Sequence, residues 1–68
     1  MKIFAERLKK ERERKGLSQR EMAELLNIPR STYNNYELCR GKPRFEMLCK
    51  IADIFNVRIN YLFGLEEH

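Results

Sequence analysis

Apolar residues recur at spacings of three and four along nearly the whole chain, the pattern of helices that each bury one face. Phe4 and Leu8 open it, and a first helix is expected over 2–15, stopped by Gly16. Its other faces alternate in sign. Glu6 with Lys10, Lys9 with Glu13 and Glu11 with Lys15 all stand at i,i+4, which reads as a solvated surface stitched by weak pairs. Arg12 continues the Phe4–Leu8 stripe inward, where a charge needs a partner. Met22, Ala23 and Leu26 mark a second helix, and Tyr33 and Tyr36 a short third one. Phe45, Leu48, Ile51, Ala52 and Phe55 give a fourth over 44–55. Asn56 and Val57 then turn the chain into a fifth helix over 58–63, carrying Ile59 and Leu62 and ended by Gly64. The expected fold is all-α, a compact five-helix bundle in a single domain over 1–65, followed by a tail at 66–68. Leu17, Ile28 and Val57 join the apolar residues named above in its expected core. A domain this small stands near the lower limit for a self-sufficient core.

The most informative stretch is 17–37, LSQREMAELLNIPRSTYNNYE. Ser18 with Glu21 three residues on reads as a capping box, hydroxyl to backbone N–H one way and carboxylate back the other. Asn27 can end the second helix in the left-handed conformation, and Pro29 can begin the next, where its missing N–H costs nothing. With Tyr33 and Tyr36 facing inward, Arg30, Ser31, Asn34 and Asn35 face outward. A short helix with an apolar back and hydrogen-bonding side chains in front has the shape to enter a DNA major groove. Residues 18–37 thus read as a helix-turn-helix, with 30–37 as the recognition helix.

Charge agrees with a polyanionic partner without identifying it. The net charge is +4, or +6 with Glu66 and Glu67 set aside. No run is long enough to cross a membrane and no signal-peptide pattern is present, so a cytoplasmic location is expected. Cys39 and Cys49 belong to no metal-ligand spacing, and His68 is the sole histidine, so neither a metal site nor a cofactor is expected. A nucleophile needs a nearby base, and an enzyme is not expected. No small-molecule ligand is evident.

The run FAERLKKERERKGLSQREMAELLNIPRSTYNNYE, followed by KPRFEMLCKIADIFNVRINYLFG, resembles the phage repressor/Cro family of helix-turn-helix domains, also called the XRE family. The resemblance covers 4–64 and keeps several separate signals in register: Gly-Leu-Ser-Gln at 16–19, Tyr-Glu at 36–37, Pro43, Ile-Ala at 51–52 and Tyr-Leu at 61–62. It implies a lambda-repressor-like domain that binds double-stranded operator DNA, as a homodimer at least when DNA-bound, on a near-palindromic site. It implies that Arg12 pairs with Glu37, a structural ion pair locking the first helix to the third. Base contacts fall to Arg30, Ser31, Asn34 and Asn35. Phosphate contacts fall to Ser18, Gln19, Thr32, Arg40, Lys42 and Arg44, with Gln19 also bracing the recognition helix.

Three positions depart from the family pattern. Cys39 stands where a glycine usually follows the recognition helix, at a cost of about 1 kcal/mol unless Gly41 takes over the turn. Pro29 and Arg44 replace capping residues at the third and fourth helices. Two rival functions are an antitoxin that binds DNA and also neutralises a partner, and an interaction bundle that does not bind DNA. The first calls for surface beyond the bundle. The second calls for an acidic or apolar front on the third helix, against the Arg, Ser, Asn and Asn present.

Overall fold

The computed structural model describes residues 2–67; Met1 and His68, at the ends of the expected domain and tail, lie outside the described residues. Five helices follow in order: α1 (Lys2–Arg14), α2 (Gln19–Leu26), α3 (Arg30–Glu37), α4 (Phe45–Phe55) and α5 (Ile59–Leu62). Among the described residues there is no strand, and no helix is long and apolar enough to cross a membrane.

All five helices end in one way. An N–H just past each helix reaches back five residues: Leu17 to Arg12 (3.1 Å), Ile28 to Ala23 (3.1 Å), Arg40 to Asn35 (2.8 Å), Val57 to Ala52 (3.0 Å) and Leu65 to Asn60 (2.9 Å). Each such bond requires the preceding residue to be left-handed, and Gly16, Asn27, Cys39, Asn56 and Gly64 have φ of 72°, 57°, 63°, 54° and 79°. Four of the five are glycine or asparagine, the residue types that tolerate this region. Cys39 is the exception. Gly41 does not take over the turn; its φ is not positive, and a Cβ there would lie 3.4 Å from the Tyr36 ring. The absence of a side chain at Gly41 lets the loop press against that ring.

The starts of the helices differ. Ser18 forms the full capping box with Glu21, accepting at 3.0 Å and donating at 2.8 Å. Pro29, Arg44 and Arg58 cap α3, α4 and α5 with no side-chain hydrogen bond.

The core is built from Phe4, Leu8, Met22, Ala23, Leu26, Tyr33, Tyr36, Leu48, Ile51, Ala52, Phe55, Tyr61 and Leu62. Leu17, Ile28, Val57 and Ile59 pack against it half-buried. Two expectations need correction. Phe45 is 68% exposed rather than core. It is the first residue of α4, and because helical side chains lean towards the N-terminus it projects past the layer that Leu48 fills. The three i,i+4 pairs expected on α1 do not close among the described residues. Glu11 is buried instead, accepting from Arg14 at 2.6 and 2.9 Å and from the Tyr61 hydroxyl at 2.9 Å. Seven residues after Phe4, Glu11 lies on the inward stripe, so α5 covers it and a charge there requires donors.

Arg7 completes the α1–α5 junction. Its guanidinium lies 4.5 Å from the centre of the Tyr61 ring and donates at 2.6 Å to the carbonyls of both Tyr61 and Glu66. Phe4 and Phe63 stack beside it at 5.5 Å.

Candidate nucleic-acid interface

α2 and α3 meet through the three-residue turn 27–29, and Tyr33 and Tyr36 anchor α3 to the core, edge to face at 6.4 Å. That burial turns the rest of α3 outward. Arg30, Ser31 and Asn35 are exposed, and Thr32 and Asn34 half-buried.

Behind this face lies a polar network centred on Glu37, whose side chain is only 4% exposed. Arg12 grips it with one edge of its guanidinium, Nε to Oε2 at 2.7 Å and Nη2 to Oε1 at 3.2 Å, and spends Nη1 on the Leu17 carbonyl at 2.8 Å. The Tyr33 hydroxyl donates to Oε2 at 2.5 Å. Gln19 Nε2 donates to Glu37 Oε1 at 3.1 Å and to Asn34 Oδ1 at 3.0 Å. Burial alone would push the Glu37 carboxyl up, but the donors Arg12, Tyr33 and Gln19 outweigh it and hold it below its ordinary value. The Glu37 hydrogen bond holds the Arg12 guanidinium above its ordinary value against the cost of burial. Burial first, and then Glu37, push the Tyr33 hydroxyl up. The first, second and third helices thus converge on one carboxylate.

The network changes what Gln19 can offer. Both its amide protons are directed into the protein, so its side chain has none left for a phosphate. What remains is backbone. Of the N–H groups at the start of α2 that no intrahelical carbonyl can reach, the capping box satisfies those of Ser18 and Glu21. Those of Gln19 and Arg20 are left. Ser18 keeps its hydroxyl proton. At α3, where Pro29 supplies no cap, the N–H groups of Arg30, Ser31 and Thr32 lack intrahelical acceptors. Arg40, Lys42 and Arg44 are exposed along the loop after α3, on either side of the buried Pro43.

The sequence reading missed the Gln19–Asn34 bond and the Arg7–Glu11–Tyr61 cluster. A signal for the first was available, since an amide at the first position of α2 with two amides facing it on α3 invites pairing. The second joins residues 50 apart, for which helical spacing carries no information.

Residues 8–62 match the helix-turn-helix family profile. The chain belongs to the XRE-type helix-turn-helix family. Among its relatives is the SPbeta prophage-derived HTH-type transcriptional regulator YonR of Bacillus subtilis, named as uncharacterized, 42% identical over 88% of this chain and 56% of its own length. Another is the HTH-type transcriptional regulator ImmR of the same organism, 39% identical over 94% of this chain and 50% of its own. A third is the cryptic phage CTXphi transcriptional repressor RstR of Vibrio cholerae, 39% identical over 94% of this chain and 56% of its own. The chain spans about half the length of these curated relatives. No solved structure matches it significantly.

Proposed function

We propose that this chain is a sequence-specific DNA-binding module of a cytoplasmic transcriptional regulator, a repressor acting as a dimer on a near-palindromic double-stranded operator. The carrying observation is the outward face of α3, whose Arg30, Ser31, Asn34 and Asn35 stand in front of a buried tyrosine pair and a fixed carboxylate network. Arg30 and Asn35 have the reach and donors for base edges, and Ser31 makes a close contact or leaves a permissive gap. The Ser18 hydroxyl, the Gln19 and Arg20 N–H groups, Thr32, Arg40, Lys42 and Arg44 hold phosphates, which set register without reading sequence. The match to a phage repressor and a prophage-derived regulator supports repression.

A dimer would set the two recognition helices about one helical turn, roughly 34 Å, apart. Tyr61 and Leu62 are consumed by the chain's own core, so half-buried Val57 and Ile59 and the exposed Leu65 are the apolar surface for the pair contact. Selection of bound duplexes from a random pool tests the whole reading. The expected result is two inverted half-sites at fixed spacing. Tight binding of one chain to a single half-site, with no gain from a second, would overturn the dimer.

A further inference from the structure

We infer that Asn34 reads DNA chiefly through its amide NH2, favouring guanine over adenine at one operator position, because its carbonyl oxygen already accepts from Gln19. The inference rests on the proposed DNA reading and deepens it. An unconstrained asparagine offers one acceptor and one pair of donors side by side, which fits the N6–H and N7 of adenine. Here the choice has been made inside the protein.

The order of causes runs outward from the buried acid. Glu37 is ionised and can only accept, with Arg12 and Tyr33 already donating to it. Gln19 therefore has to turn its amide nitrogen, not its oxygen, towards Glu37. The second proton on that nitrogen then points at α3, and Asn34 has to meet it with Oδ1 at 3.0 Å. What Asn34 has left is its whole amide NH2 and one lone pair on an oxygen shared with Gln19. Guanine presents two acceptors in the major groove, O6 and N7, and meets only free N–H groups. Adenine would have to share that oxygen with Gln19, whereas guanine calls on the NH2 alone.

The test measures relative affinity for the selected operator and all its single-base variants, with the wild-type chain and with Asn34→Ala, Asn34→Asp and Gln19→Ala. The wild type should prefer guanine to adenine about tenfold at one half-site position, the scale of one good base contact. Asn34→Ala should flatten that position alone. Asn34→Asp keeps an acceptor for Gln19 and offers only acceptors outward, so it should reverse the preference towards bases with an exocyclic amine, cytosine or adenine. Gln19→Ala frees the Asn34 oxygen and should bring adenine close to parity with guanine there, while every other preference persists. The inference is overturned if adenine is preferred at the Asn34-dependent position, if Asn34→Asp leaves guanine preferred, or if Asn34→Ala weakens all sequences equally, as a phosphate contact would. Those results leave the other positions' preferences standing. A wild-type chain with no base preference anywhere would overturn the DNA reading as well.

Discussion

At the scale of the residue, Glu37 accepts four side-chain hydrogen bonds, from Arg12, Tyr33 and Gln19. Truncating it to alanine orphans donors on Arg12, Tyr33 and Gln19 and should cost about 3–5 kcal/mol. Arg12→Met leaves Glu37 with two donors and should fall at the low end of that range. The double variant should lose clearly less than the two singles together, and chemical denaturation of all four proteins measures the coupling; additive losses would mean that the pair carries no coupling energy. The same group sets an acid limit. Glu37 has a lower carboxyl pKa folded than unfolded, so the unfolded chain binds the proton more readily. Its stabilisation is complete above the ordinary carboxylate value and is lost as pH falls through the folded one. Melting temperature between pH 6 and 3 should therefore fall less steeply for Glu37→Gln than for the wild type. Equal slopes would contradict the assignment.

The helices themselves rest on local chemistry, and it was here that the sequence was easiest to read. The three-and-four spacing of Phe4, Leu8, Met22, Leu26, Leu48, Ile51 and Phe55 located three helices, and Asn27 and Gly16 marked two of their ends. Phe45 was misread because periodicity says which face a residue occupies but not whether a neighbouring helix still stands opposite it. Cys39 was legible as an awkward position, and the structure shows that it bears the left-handed strain itself. Cys39→Gly should raise stability by up to about 1 kcal/mol, whereas Gly41→Ala, which sets a Cβ 3.4 Å from the Tyr36 ring, should not. Glu11 was read as part of a solvated face paired with Lys15, because its partner Tyr61 arrives only when α5 folds back. Tyr61→Phe removes one donor from that carboxylate and should cost about 1–3 kcal/mol by denaturation.

Across the whole molecule, two kinds of exposed groups follow one another along the chain, Arg30 and short polar side chains on α3 and the cations of the loop after it. Each of Arg40, Lys42 and Arg44 that grips a phosphate should lower the slope of log affinity against log salt by about 0.9 when replaced by alanine. The base-facing residues should leave that slope nearly unchanged. The candidate site was legible in the sequence as a list of residues. What the list lacked was the internal wiring, because hydrogen bonds between amides on different helices depend on distances that no spacing rule supplies. The most direct test of the central claim, that α3 reads sequence while its surroundings supply grip, is paired titration of operator and random DNA with Arg30→Ala, Asn35→Ala and Lys42→Ala. Arg30→Ala and Asn35→Ala should each lose about 1–3 kcal/mol on the operator and little on random DNA, and Lys42→Ala should weaken both alike. Equal losses on the two DNAs for Arg30→Ala and Asn35→Ala would show that α3 is not the reader.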